Sequence, residues 1–250
     1  MGSLPLFLVD AGRLDGDPIR LDGAEGRHAS AVRRLRPGES LLLGDGAGRV
    51  AVCTVAAADR TSLVCAVHSR YDEPPPAPRM VVAQALPKGE RGELAVSALT
   101  EVGVDEVVPW AASRCVTRWS AERAAKGLTR WRAAAREATK QSRRGWLPEI
   151  PGLTTTAEVT ARLGQAELAV VLHESATEPL AALRVPERGE VVVVVGPEGG
   201  IDDAELEQFA VAGAVPVRMG PTVLRTSTVG TAAAAVLLSR TPRWGRVSEP

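Results

Sequence analysis

Cysteine and histidine are both scarce in this chain, three of each among 250 residues. Cys53, Cys65 and Cys115 are too few for a disulfide framework, which points to a reducing, cytoplasmic setting. His28, His68 and His173 are scattered, and the one close pair, Cys65 with His68, has no companion at ligand spacing, so no metal is expected. A Gly-x-Ser-x-Gly elbow is missing, and no histidine is an obvious partner for a serine or cysteine nucleophile, which argues against a hydrolase triad. Met1–Asp10 lacks the basic start and apolar run of a secretory signal. The longest candidate apolar run, Val229–Leu238, falls short of a membrane span. Excess charge of one sign is absent too: Lys+Arg and Asp+Glu are both 30, so any charged binding surface must come from local segregation.

What is present suits a folded globular protein, 45% hydrophobic and 24% charged, long enough for one large domain or two smaller ones. Tyr71–Arg79 carries four prolines in five positions and favours an extended spacer. The expected organisation is a first domain over residues 1–72, a Pro-rich linker over 73–79, a second domain over 80–243 and a C-terminal tail over 244–250. In the first, Leu6–Val9, Ser40–Leu43, Arg49–Val55 and Ser62–Val67 read as short strands. Asp45-Gly46 reads as a tight turn and Glu25–Arg34 as one helix, and a small β-barrel is the natural closure. In the second, strand-like runs at Val81–Leu86, Val107–Trp110, Ala169–Leu172, Val191–Val195 and Val215–Met219 alternate with helical stretches, which predicts α/β with a mainly parallel sheet. Val191–Val195 is apolar throughout, as a central strand buried on both faces would be. Asp202 and Glu205 have the spacing of a capping box for a helix through about Ala212.

Three features can carry chemistry. Gly196-Pro197-Glu198-Gly199-Gly200-Ile201 stands at the carboxyl end of the buried strand, where open α/β sheets place ligands. It matches neither the dinucleotide fingerprint nor a Walker loop, and it reads equally as a plain strand-to-helix turn. The second loop, Gly220-Pro221-Thr222-Val223-Leu224-Arg225-Thr226-Ser227-Thr228, leads into an Ala-rich helix. Thr226 or Ser227 would cap that helix, while Arg225 is open to binding a phosphate, polarising a carbonyl or facing solvent. The third is electrostatic: Arg114 to Arg144 contains ten Lys+Arg against Glu122 and Glu137, a local excess of +8. Within it Ser120–Gln141 is helix-like, with Leu128, Trp131, Ala135 and Ala138 on one face and Arg123, Lys126 and Arg130 on another, a pattern suited either to RNA phosphates or to a solvated surface. Trp119, Trp131 and Trp146 could stack on bases, Trp131 being the better core candidate. His173-Glu174 closes a strand at the level of both loops.

In order and spacing these segments resemble the RsmE family of ribosomal RNA methyltransferases, of the SPOUT class. The most specific match is Val193-Val194-Val195-Gly196-Pro197-Glu198-Gly199-Gly200 with Leu224-Arg225-Thr226 downstream. Gln84-Ala85-Leu86-Pro87-Lys88-Gly89-Glu90-Arg91, Thr100-Glu101-Val102-Gly103-Val104, Pro109, Arg114 and Gln141-Ser142 with Arg144 support it, and His28, Val32, Arg34, Arg36 and Gly38 resemble the family's PUA-like RNA-binding barrel. The resemblance implies a trefoil-knotted α/β SPOUT domain with a mainly parallel sheet, preceded by that barrel. It implies S-adenosyl-L-methionine-dependent methylation of uridine N3 in 16S ribosomal RNA of the small ribosomal subunit, by a homodimer with an interfacial active site. The alternative is a non-catalytic RNA-binding or ribosome-assembly protein retaining the knotted fold. On this resemblance the cofactor would lie against Leu172, His173, Glu174, Gly196, Pro197, Glu198, Gly199, Gly200, Ile201, Met219, Gly220, Leu224, Arg225, Thr226, Ser227 and Thr228. Arg225 would stabilise charge on the uracil, with Glu198 a candidate proton acceptor. RNA would be held by Arg34, Arg36, Lys88, Arg91, Arg114, Arg123, Arg130 and Arg144. Three positions depart from the family pattern: Leu6-Phe7-Leu8 replaces Arg-Phe-Phe, Lys140 stands where an acidic residue is common, and Ser227 stands where Glu is common.

Overall fold

A computed structural model describes residues 4–245 and divides them into two compact units. The division falls between Pro75 and Pro76, and residues 139–147 cluster with the first unit, so neither unit is the single contiguous stretch expected. Of the expected tail, 246–250 lie outside the described residues, while Trp244 and Gly245 end a short helix.

The first unit is built from β1 (Leu6–Leu8), β2 (Ile19–Leu21), α1 (Gly23–Arg27) running into a π-helical turn at His28–Val32, β3 (Ser40–Gly44), β4 (Arg49–Ala58) and β5 (Leu63–Asp72). The sheet order is β1-β3-β4-β5-β2, with β1 parallel to β3 and the other pairs antiparallel. Phe7 from one edge strand and Ile19 and Leu21 from the other share one core with Leu41, Leu43, Cys53, Val55, Leu63 and Cys65, so the sheet wraps around a single interior. Between β3 and β4, Gly46 takes φ +74° and the Asp45 carboxylate accepts the Ala47 N–H at 2.7 Å, the turn that Asp-Gly predicts. β2 was not expected: three residues are too few to show a period of two.

The second unit contains β6 (Arg79–Ala85), α2 (Arg91–Val102), β7 (Glu106–Trp110), most of α3 (Ala121–Ser142), α4 (Thr156–Leu163), β8 (Leu168–Leu172), β9 (Glu190–Val195), α5 (Asp203–Val211), β10 (Val215–Val217), α6 (Thr226–Leu238) and α7 (Pro242–Gly245). All five strands lie where the apolar runs predicted them. They pair in parallel in the order β10-β8-β9-β6-β7, which puts Val191–Val195, each 1% exposed or less, at the centre. Asp202 and Glu205 form the expected capping box, so α5 starts one residue after Asp202 and the loop from β9 has a fixed end.

Candidate functional site

The carboxyl ends of β8, β9 and β10 deliver three segments to one cavity of about 530 Å³. Leu172, His173 and Glu174 come from β8, Gly196 to Ile201 from β9, and Met219, Gly220, Leu224, Arg225 and Thr226 follow β10. Arg91, Arg114 and Arg218 complete the charged part of the lining. Ser227 and Thr228, grouped with these by sequence, are not brought to the cavity. Ser227 is buried in the first turn of α6, and the Thr228 hydroxyl donates to the Arg225 carbonyl at 3.1 Å.

Local chemistry explains each loop. At Gly196 an added Cβ would stand 2.7 Å from Ile201 Cγ1, so the chain folds back on itself more closely than a side chain allows. Gly200 takes φ +74°, and its N–H donates to the Pro197 carbonyl at 2.9 Å, closing the turn. The β8 end is pinned to β10 where the His173 N–H donates to the Val217 carbonyl at 2.9 Å. The hydroxyl-rich loop does not cap α6 as expected. Arg225 occupies the N-cap position with extended backbone, φ −67° and ψ 148°, without a side-chain cap. Its carbonyl accepts the Thr228 and Val229 N–H groups, both at 2.9 Å. That backbone bonding holds Arg225 in place and leaves its exposed guanidinium without a partner among the described residues.

The cavity lining is cationic, with Arg91, Arg114, Arg218 and Arg225 against Glu174 and Glu198. Glu198 is engaged: Oε1 accepts the Lys88 backbone N–H at 3.2 Å and lies 3.6 Å from Arg91 Nη1. Those contacts tie the loop after β6 to the loop after β9 and engage one carboxylate oxygen with a backbone N–H and one guanidinium.

The other expected RNA residues are distributed. Lys88 lies on the loop entering α2, Arg91 is the first residue of that helix, and Arg123 is exposed on α3. Arg130 Nε stands 3.1 Å from Glu93 Oε1, so part of its charge is spent within the unit. Arg34, at φ +56°, and Arg36 are exposed in the first unit, to which Arg144 also belongs. The three tryptophans expected to stack on bases are packed against the protein. Trp131 is buried and meets Trp119 edge-on at 5.5 Å, while Trp146 donates to the Glu73 carbonyl at 3.2 Å and covers Gly48. Burial pushes Cys53 up to about 11 and Cys65 up to about 12, which keeps both thiols protonated and unreactive. Among the described residues there is no group of three metal-ligating side chains and no helix long and apolar enough to cross a membrane.

The departures from the family pattern have local explanations. Leu6 is 3% exposed in β1, where an arginine would have to be desolvated. Lys140 Nζ lies 3.2 Å from Glu25 Oε1 with both side chains largely buried, so a cation there has its acidic partner.

Residues 73–238 match the family model of an RNA methyltransferase domain, and 21–67 that of an RNA methyltransferase PUA domain. The chain is 46% identical to the ribosomal RNA small subunit methyltransferase E of Mycobacterium tuberculosis, covering 96% of this chain and 93% of the relative. The Bacillus subtilis protein of the same name is 27% identical, over 83% and 84% of the two chains. A Legionella pneumophila protein assigned as a methyltransferase, solved in complex with SAM, superposes with a TM-score of 0.84 at 25% identity, covering 96% of this chain and 98% of that one. The Neisseria gonorrhoeae methyltransferase E structure shares the fold with a TM-score of 0.83 at 24% identity, over 95% and 98% of the chains.

Proposed function

The chain belongs to the ribosomal RNA small subunit methyltransferase E family of RNA methyltransferases, and from that premise we propose that it methylates N3 of a uridine in 16S ribosomal RNA with S-adenosyl-L-methionine as donor. The observation that carries the reading is the convergence of three strand ends on one glycine-floored cavity that also holds an unpartnered arginine.

The residues present fit the donor. A cavity of about 530 Å³ is in the range of small-molecule sites. The backbone at Gly196, Gly199 and Gly200 is bare of side chains, as close approach of a ligand requires, and Leu172, Ile201 and Leu224 supply apolar wall. Leu172 to Glu174, Gly196 to Ile201 and Met219 to Thr226 would hold it, Arg225 through its backbone and not its guanidinium. When bound there, the donor supplies a methyl group on a positively charged sulfonium, an electrophile needing only an aligned nucleophile.

The protein's own contribution is electrostatic and geometric. Uracil N3 becomes nucleophilic when it loses its proton, and the resulting charge spreads to the flanking carbonyl oxygens. The Arg225 guanidinium, held by its backbone and free at its tip, faces one of those oxygens and lowers the cost of that charge. The proton passes to water, and Glu198 holds the loops against Lys88 and Arg91 rather than acting as base. Arg114 and the neighbouring cations take RNA phosphates, which position the nucleotide without reading its sequence. A knotted chain path, a homodimer with an interfacial site and action in the cytoplasm belong to the same reading.

The test is methyl transfer to small subunits or 16S ribosomal RNA from cells lacking this protein, with N3-methyluridine identified by nucleoside mass spectrometry. Arg225→Ala should cut turnover by about a hundredfold or more while leaving donor affinity within about twofold, the signature of a contact made in the transition state. Unchanged turnover in that variant would refute the assignment of Arg225.

A further inference from the structure

Ser113, in the loop after β7, makes three hydrogen bonds to the start of α5, about 90 residues away in sequence. Its N–H donates to Glu205 Oε1 at 2.8 Å, and its hydroxyl lies between Asp202 Oδ2 and Glu205 Oε2, the latter at 3.2 Å. Glu205 is 4% exposed and is further held by the Thr156 hydroxyl at 2.9 Å. The Ser113 hydroxyl, followed by the Glu205 N–H, keeps the Asp202 carboxyl below its ordinary range. The two carboxylates are also the capping box that ends the Gly196–Ile201 loop, so one pair of acids fixes both loops at once. The next residue, Arg114, reaches the cavity: its carbonyl would lie 3.1 Å from a Cβ at Gly199, and its guanidinium, which makes no ion pair among the described residues, lies close enough to Asp202 to attract its carboxylate. The clasp sets the register between an exposed cation and the glycine floor.

We propose that Ser113 is a positioning residue for RNA, which through its bonds to Asp202 and Glu205 holds Arg114 at the mouth of the cavity, where the guanidinium meets a phosphate beside the target nucleotide. This rests on the functional reading given above for the same cavity. The reason is geometric. An arginine on an untethered loop must be ordered when RNA binds, and a loop bonded to the buried Glu205 and the half-buried Asp202 has met that cost on folding. No function follows for Ser113 in contacting RNA itself; it acts through Arg114.

The experiment is a double-mutant cycle on RNA affinity, with a 16S ribosomal RNA transcript as probe, beside S-adenosyl-L-methionine titration and thermal melting of each variant. Ser113→Ala should weaken RNA binding about five- to tenfold, the effect of losing a hydrogen bond to a charged group. Donor affinity should stay within about twofold, and Ser113→Thr should recover most of the loss. In an Arg114→Ala background, which itself lowers the salt dependence of binding by about one phosphate contact, Ser113→Ala should add almost nothing. Unchanged RNA affinity in Ser113→Ala overturns the proposal. So does a penalty that persists in full without Arg114, or one matched by equal losses in donor affinity and melting temperature. Absence of methyl transfer by the wild type would refute the functional reading, and the RNA-affinity cycle would still decide the clasp.

Discussion

Gly196→Ala is the sharpest test of the glycine floor. The added Cβ would lie 2.7 Å from Ile201 Cγ1, about 0.7 Å inside the 3.4 Å at which ordinary contact begins, and 3.3 Å from Ile201 Cδ1. Ile201 is 3% exposed and cannot swing into solvent without surrendering buried surface, so the loop between the two residues must move instead. Overpacking of this size costs about 1–3 kcal/mol of stability, and a displacement approaching 1 Å at a ligand-contacting backbone costs about ten- to a hundredfold in productive binding. Calorimetric titration with S-adenosyl-L-methionine should show that loss in a protein that still melts cooperatively. Gly152→Ala, where a Cβ meets nothing within 4 Å, should bind normally. Trimming the obstruction in Gly196→Ala/Ile201→Ala should return part of the affinity despite a further stability loss of about 2–5 kcal/mol. A folded Gly196→Ala variant with unchanged donor affinity would refute the argument that this loop carries the ligand.

Two further predictions concern stability. Arg243 of α7 donates to Asp105 at 2.6 and 3.1 Å and to the Pro78 and Gly103 carbonyls at 3.0 and 2.7 Å, with both side chains mostly buried. Arg243→Ala removes this cation from the mostly buried Asp105 carboxylate and should cost about 3–5 kcal/mol in urea unfolding; a loss below about 1 kcal/mol would show that this pair contributes little. Burial alone would favour the neutral form of Glu106, but hydrogen bonds from Arg162 and Arg79, at 2.6 and 2.7 Å, outweigh it and hold the carboxyl below its usual range. A depressed folded value means the contribution is complete above the unfolded value of about 4.3 and is lost as pH falls through the folded one. A pH–stability profile should therefore steepen below about pH 5 in the wild type and flatten there in Glu106→Gln; identical acid limbs would contradict the sign.

The parts of the fold that sequence disclosed are those written in local pattern. Val191–Val195, apolar throughout, read as a strand covered on both faces, and Asp202 with Glu205 announced the start of α5 because a capping box needs two side chains three residues apart. What stayed hidden depends on partners distant in the chain. Ser113 carries no signal of its own, since a serine in a loop is unremarkable until α5 brings two carboxylates to it. The grouping of residues 139–147 with the first unit is equally invisible to a reading that divides at prolines. Thr226 and Ser227 misled for the converse reason: hydroxyls at a helix start usually cap, but here the Arg225 carbonyl bonds the first-turn N–H groups.

Charge shows the same limit and leads back to the chemistry. The stretch from Arg114 to Arg144 carries a formal excess of +8, yet Arg130 is drawn to Glu93 and Lys140 to Glu25, both acids outside it, and Lys126 pairs with Glu122 at 2.7 Å. The excess that remains for RNA is smaller than a count along the chain suggests, and it is aimed. At the cavity Glu198 is tied to the Lys88 backbone N–H and to Arg91, Arg114 also attracts the Asp202 carboxylate, and Arg225 makes no ion pair among the described residues. On the function proposed above, a carboxylate at position 227 would weaken that field where a uracil is to become an anion, and the serine found there adds no such opposing charge.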